Sequence, residues 1–319
     1  MEPASADASF RRYFRAFIDG EALPRIVMDA PVEHEDCRPF VHVAGLLQGA
    51  GINAPRILAS DLDRGFLLLT DLGRTTYLQA LRADPASADT LYRAAIGALV
   101  RMQANTPAGS LAPYDEALLM REMRLFPDWY MVRHRGGAPT AKDEEVLAQA
   151  FRRLVGNNLA QPCVFVHRDY HSRNLMLTRA EAGEGDIPGV LDFQDAVRGP
   201  VTYDLVSLLR DAYIEWEEEQ VLDWAIRYWD SARKAGLPVN REFGEFYRDF
   251  EWMGLQRHLK ILGIFARLNH RDGKAQYLDD LPLVMRYTRR ACERYDVFTP
   301  LLRLLDRIEN TAVRAGYTF

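Results

Sequence analysis

"VFVHRDYHSRNLML" (residues 164–177) places His167, Arg168, Asp169, His171, Arg173 and Asn174 within eight positions, directly after an apolar run. An ordinary surface loop carries one or two such groups. Crowding this much charge between two apolar runs is unfavourable unless the groups are used, so the stretch reads as a site carried on short strands.

The spacing narrows the chemistry. His167-Arg168-Asp169, four further residues and then Asn174 set a carboxylate and a carboxamide one turn of loop apart. In phosphoryl transfer the Asp accepts the proton of the attacking hydroxyl, and the Asn carbonyl binds a divalent cation on the phosphates. A second carboxylate must then hold the bridging cation from a nearby strand. Asp192, in "GVLDFQD" (residues 189–195), ends such a run and is followed by Phe193. Two matched elements in order are more specific than either alone. The plainer reading has Asp169 and Asn174 capping turns. A rival chemistry takes His167, Asp169, His171 and Asp192 as ligands of a hydrolytic metal. It leaves Asn174 and the β-rich N-terminal region without a role. Phosphoryl transfer is the better account.

The rest of the chain predicts an α+β, two-lobed fold. Residues 9–29 read as a hairpin: aromatic-rich "SFRRYFRAFI", a turn at Asp19–Gly20, and "PRIVMD" running back. "EHEDCRPFVHVAGLLQGAG" has apolar residues at helical spacing and stops at its glycines. "APRILAS" and "GFLLLTDLG" predict two more strands. A small β-rich lobe with one helix, residues 1–73, is therefore expected ahead of a larger helical lobe, 74–319. The second lobe holds an isolated hairpin whose polar tip is "TRAEAGEGDIPG". Long amphipathic helices are predicted near 203–213, 217–235, 243–268, 278–295 and 301–314.

Composition excludes several classes. At 48% hydrophobic and 27% charged, the 319 residues are those of an ordinary globular protein. A net charge of −5 gives no basic footprint for nucleic acid. Cys37, Cys163 and Cys292 lie far apart in no metal-ligand spacing, as in a reducing cytosol. No signal peptide is expected from "MEPASADASFRRYF", and no run reaches the ~18 apolar residues of a membrane span. A cytoplasmic protein with small-molecule partners is expected.

"HRDYHSRNLML", "GVLDFQDAVRGPVTYDLVSLLRD" and the Tyr203–Leu205 "YDL" resemble the aminoglycoside phosphotransferase-like superfamily, small-molecule kinases with a protein-kinase-like fold. Protein kinases themselves fit poorly. There is no A-P-E after Asp192, Gln194 stands where D-F-G has Gly, and no G-x-G-x-x-G lies near the start. "DASFRRYFR", "MDAP", "LLTDLG", "DFQDA" and "QRHLKILGIFARL" further resemble the cell-wall-recycling amino-sugar kinases. Those enzymes phosphorylate the anomeric hydroxyl of N-acetylmuramate and N-acetylglucosamine. The resemblance runs from Asp7 to about Leu268.

It implies ATP as co-substrate, Mg²⁺ on Asn174 and Asp192, Asp169 as the catalytic group, and His167 and Asp204 as supports of the loop. "SADAS" with Ser9 would cover the phosphates, and Thr70, Asp71 and Leu72 would pair with adenine. One departure matters: kinases of this fold place a lysine on the third strand, and this chain has no lysine before Lys142. Arg12 is the expected replacement, with Arg11 and Arg25 as alternatives. On the substrate side His171, Asp195 and Arg257 are candidates. Arg257 belongs to a donor run, Gln256, Arg257, His258 and Lys260, whose plainer reading is one solvated helix face. Trp129 and Tyr130 could stack on a sugar ring. An antibiotic kinase, with "EWEEEQ" (residues 215–220) as its acidic pocket, ranks second, and a nucleotide-binding scaffold third. The chain begins only a few residues before "SADAS", where the resemblance implies a whole strand, and the sequence does not fix whether that strand is complete.

Overall fold

Apolar alternation in "RIVMD" and "FLLLT" decides the N-terminal sheet. Met28, Leu67 and Leu69 point to one face and are buried, and Met28 pairs with Leu67 across the ladder. The computed structural model describes residues 1–6, 10–20, 23–178 and 187–310. In it β1 (Glu2–Ala6), β2 (Arg12–Ala16), β3 (Arg25–Asp29), α1 (Arg38–Gly49), β4 (Ile57–Asp61) and β5 (Phe66–Thr70) follow in order. The five strands form one antiparallel sheet, ordered β1-β2-β3-β5-β4. The hairpin β2–β3 is the one expected, shortened at its tip, where Phe17 and Ile18 are exposed. The sequence left the first strand open; Glu2–Ala6 forms one by pairing with β2. "EPASA" carries neither the β-branched nor the aromatic residues that mark a strand.

Then come α2 (Tyr77–Ala83), α3 (Ala88–Asn105), α4 (Glu116–Leu125), a π-helical stretch (Phe126–His134) and α5 (Ala141–Ala160). Thr76 and Gln79 form a capping box that starts α2, and Thr140 with Asp143 does the same for α5. β6 (Cys163–Val166), β7 (Leu175–Met176), β8 (Gly189–Val190) and β9 (Val197–Pro200) precede α6 (Tyr203–Leu209), α7 (Glu218–Lys234), α8 (Phe243–Asp272), α9 (Leu281–Arg294) and α10 (Thr299–Glu309). β7 and β8 are the expected hairpin. β6 pairs with β9, which the Gly and Pro of "VRGP" hide from a strand reading. No helix among the described residues is long and apolar enough to cross a membrane.

The chain divides into two compact units. The first comprises Met1–Ala112, Val164–Arg198 and Asp223–Pro238; the second comprises Pro113–Cys163, Gly199–Leu222 and the chain from Val239 on. Hydrogen bonds tie the β7–β8 hairpin into the first unit. Leu177 N–H donates to Thr75 O at 2.8 Å, Leu78 N–H to Ser172 O at 3.0 Å and Val190 N–H to Asn53 O at 2.8 Å.

In the second unit the 30-residue α8 is central and meets α4 at a close crossing. A Cβ on Gly263 would lie 2.3 Å from the carbonyl carbon of Leu125. Gly263→Ala would ordinarily gain helix propensity, but here backbone must move. We expect a loss of about 2 kcal/mol, read as a lower urea midpoint. In the π-helical stretch Tyr130 is buried, with its hydroxyl donating to Glu309 Oε1 at 2.9 Å. It is core packing, not a sugar platform.

Candidate active site

The loop that carries Asp169 and Asp192 is held in a conformation that side chains seldom adopt. Arg168 and Asp192 have φ of 79° and 64°, the left-handed region, and such residues persist where surrounding contacts over-determine them. Those contacts are present. Tyr170 is buried and its hydroxyl donates to Ala95 O of α3 at 2.9 Å. His171 N–H donates to Asp169 O at 3.0 Å, Asn174 N–H to His171 O at 2.9 Å and Leu191 N–H to Asn174 O at 2.9 Å. Phe193 is buried with its ring 4.7 Å from that of Phe40 on α1, which fixes the residue after Asp192.

The side chains converge on oxygen chemistry. Asn174 Nδ2 donates to Asp169 O at 3.0 Å and to Asp192 Oδ2 at 3.1 Å. Its carbonyl oxygen is therefore the atom left to face a cation. Gln194 Nε2 donates to Asp192 Oδ1 at 2.6 Å, while its own amide oxygen is buried without a hydrogen-bond partner among the described residues. Gln194 thus orients Asp192, a role the sequence signals only as a departure from D-F-G. A carboxylate and a carboxamide oxygen side by side fit a hard divalent cation that takes its other ligands from phosphate and water. The hydrolytic-metal alternative fails: no three His, Cys, Asp or Glu among the described residues are grouped to hold a metal.

His167 is fully buried, and burial carries its pKa down to about 4, against the raising effect of Asp169. It is neutral near pH 7, and Asp169 N–H donates to its Nδ1 at 3.3 Å. A buried, neutral imidazole that accepts a backbone N–H suits a structural support of the loop.

In the N-terminal sheet, Arg12 is 62% exposed and paired with Asp29. Arg11 is largely buried, 2.9 Å from Glu35 just ahead of α1, and Phe10 N–H donates to the same carboxylate at 3.1 Å. Arg25 stands opposite Thr70 in the ladder. Arg15, not singled out in the sequence, is buried and grips Asp71 with two nitrogens, one at 3.0 Å, while donating to Gly73 O at 2.8 Å. It pins the segment after β5. Thr70 N–H is spent on Arg56 O at 3.0 Å. The Leu72 side chain packs against Gly189, its Cδ1 2.9 Å from where a Cβ would stand. Ser9 lies outside the described residues. Asp195 is exposed, and its carbonyl accepts from Arg168 Nη1 at 3.4 Å.

In the second unit the donor run of α8 is not a solvated face. Gln256, Arg257, His258 and Lys260 are all buried. Arg257 Nε donates to Ser207 Oγ at 2.7 Å. Lys260 Nζ donates to Tyr203 Oη at 2.9 Å and pairs with Glu122 at 2.9 Å. Asp204, in the first turn of α6, is fully buried. Burial likewise takes the His258 pKa to about 3. Both imidazoles start from 6.5 when unfolded. The unfolded chain therefore binds more protons as pH falls below 6.5, and folded stability is full above that value and lost toward pH 4. At pH 5 the two together should cost about 4 kcal/mol. Urea midpoints should fall steadily from about pH 7.5 to pH 5; a flat profile would contradict the buried, neutral imidazoles.

A two-part loop of this kind beneath a five-stranded antiparallel sheet, with helices making up most of the remainder, defines a phosphotransferase of the protein-kinase-like fold. The sequence profile of the family described as "Phosphotransferase enzyme family" matches residues 1–237, and the chain belongs to that family. It is 52% identical over 95% of its length, and 87% of the relative's, to the N-acetylmuramate/N-acetylglucosamine kinase of Pseudomonas aeruginosa. It is 48% identical to the Neisseria meningitidis serogroup B protein of the same name, covering 99% and 93% of the two chains. The GDP complex of aminoglycoside 2'-phosphotransferase-IIIa shares the fold, with a TM-score of 0.61 at 13% identity, over 91% and 93% of the chains.

Proposed function

We propose that this protein is an ATP- and Mg²⁺-dependent cytoplasmic kinase that phosphorylates the anomeric hydroxyl of N-acetylmuramate and N-acetylglucosamine in peptidoglycan recycling. One observation carries the reading. Asp169, Asn174 and Asp192 share a single hydrogen-bonded loop set, in a chain about half identical to kinases of that name.

The anomeric hydroxyl is more acidic than an ordinary alcohol, so the catalytic demand is modest. Asp169 orients the hydroxyl in line with the γ-phosphate and takes its proton late. Asn174 and Asp192 hold the cation, and Gln194 keeps the Asp192 carboxylate aimed. Mg²⁺, when bound, neutralises charge on the phosphates. His167 and Asp204 support the loop. The backbone around Thr70, Asp71 and Leu72 receives adenine through groups other than the Thr70 N–H, with Arg15 fixing Asp71. Ser9 is the residue of "SADAS" proposed to contact the phosphates. The cation that a lysine supplies elsewhere falls to Arg12, with Arg11 as the alternative. His171, Asp195 and Arg257 stand on the substrate side, Arg257 acting from within its buried network. The partners are small molecules, with no nucleic acid or membrane among them.

Carboxylates also speak against a polycationic antibiotic. Glu215 is engaged by Arg286 at 2.6 Å and Arg290 at 3.1 Å, and Glu218 by Arg210 at 2.7 Å and Arg294 at 3.2 Å. They are committed to ion pairs. ADP release with ATP and Mg²⁺ tests the reading against N-acetylmuramate, N-acetylglucosamine, glucose, choline and kanamycin. Turnover is expected on the two N-acetylated sugars, and turnover on kanamycin alone would replace the reading.

A further inference from the structure

β2 carries two arginines with opposite fates. Arg12 is exposed, whereas Arg15 is buried. Arg15 stands opposite Ile26 in the ladder, and Ile26 shares its face of β3 with the buried Met28. A guanidinium on the inner face of a sheet is costly unless its donors are met. Here they are met by one short segment. Nε and Nη2 grip the two carboxylate oxygens of Asp71, and Nη2 also donates to Gly73 O at 2.8 Å. Nη1 lies 3.9 Å from Glu2 Oε1 on β1, a carboxylate that Arg74 holds as well.

The segment so gripped joins β5 to α2 and is anchored at both ends. Thr70 N–H donates to Arg56 O at 3.0 Å, and Thr75 O accepts from Leu177 N–H at 2.8 Å. Between these anchors Gly73 N–H donates to Asp71 Oδ1 at 2.9 Å. Gly73 has φ of 104°, which a glycine adopts without strain. Leu72 N–H and C=O enter no backbone hydrogen bond among the described residues. The Leu72 side chain rests on Gly189, three positions before Asp192. All of these residues belong to the first unit.

The clasp of Arg15 on Asp71 and Gly73 thus fixes where the Leu72 peptide groups point. Adenine presents an amino donor beside a ring-nitrogen acceptor; guanine presents an oxo acceptor beside a ring N–H. A fixed backbone donor and acceptor match one edge and leave polar groups unmatched against the other. Rotation of a peptide between residues 71 and 73 would reverse that pattern, and the clasp opposes the rotation.

We propose that Arg15 is the positioning residue that sets the purine preference of this kinase, holding Asp71 and Gly73 so that the Leu72 peptide groups pair with adenine and disfavour guanine. It rests on the function proposed above, in that residues 70–72 receive the base.

The test compares ATP with GTP on the full chain, with N-acetylglucosamine as acceptor, and fluorescent ADP with GDP analogues in binding. Arg15→Lys keeps the charge and loses the fork. Arg15→Met alone would leave Asp71 as a buried, unpaired carboxylate, so the companion is the double variant Arg15→Met/Asp71→Leu, which removes both partners together. Thermal midpoints establish that each is folded. In Arg15→Lys the KM for ATP should rise about tenfold, with kcat and the KM for the sugar unmoved. The ATP-over-GTP ratio of kcat/KM should fall about tenfold, and further in the double variant. Folded variants with wild-type KM for ATP and an unchanged ratio overturn the proposal. So does an equal loss of kcat on both nucleotides with a raised KM for the sugar, which is general loosening. If the wild type turns over no sugar, the proposed acceptor falls and the ratio of ADP to GDP affinity decides Arg15 by the same criterion. A wild type that binds neither nucleotide overturns both readings.

Discussion

Asp169→Asn should lower kcat on N-acetylated sugars by about 10³-fold while leaving nucleotide binding nearly intact, since a positioned general base is worth about 10²–10⁴-fold. The substitution keeps shape and removes the proton acceptor. The Asp169 carbonyl, which the substitution leaves in place, accepts from His171 N–H and Asn174 Nδ2 and so keeps these contacts of the loop. A loss in kcat with an unchanged KM for ATP therefore reports chemistry, not collapse. Activity within tenfold of wild type would remove Asp169 from the mechanism. A scaffold would keep its cellular role after the same change.

Asp192→Asn should be nearly as damaging, by a different route. Both carboxylate oxygens now accept, from Asn174 Nδ2 and Gln194 Nε2. An amide in their place sets one N–H against a donor and removes the anion that faces the cation. Mg²⁺-dependent binding of a fluorescent ADP analogue should weaken about 10²-fold, and turnover should fall further. Gln194→Leu touches the same carboxylate through one hydrogen bond and should weaken binding by about tenfold. Equal Mg²⁺ affinity in Asp192→Asn and wild type would separate Asp192 from the cation.

Much of this was legible in the chain. The helices at 217–235 and 243–268 were marked by apolar spacing, and α7 and α8 follow them. The hairpin β7–β8 was marked by two apolar runs around a polar tip. Spacing alone brought Asp169, Asn174 and Asp192 to one motif, because that chemistry tolerates few alternatives. Three-dimensional partners were not legible. Arg15 reads like its neighbours Arg11 and Arg12, and only the fold hands it Asp71. Gln194 stood out as an absent glycine, not as a hydrogen-bond donor to the next-but-one residue. The α8 donors looked like a solvated face because charge runs usually are. Their burial depends on Ser207, Tyr203 and Glu122, residues 50 or more positions away, and no local pattern encodes such pairs. Glu2–Ala6 is a strand by pairing with β2, against its own propensity.

The most direct measurement is ³¹P and ¹H NMR of the product formed from N-acetylmuramate, ATP and Mg²⁺ by the wild-type enzyme, with Asp169→Asn as control. The account predicts a single phosphate ester whose phosphorus couples to the anomeric proton, absent with the variant. A phosphate on any other oxygen, or the same ester formed at an equal rate by Asp169→Asn, would contradict it.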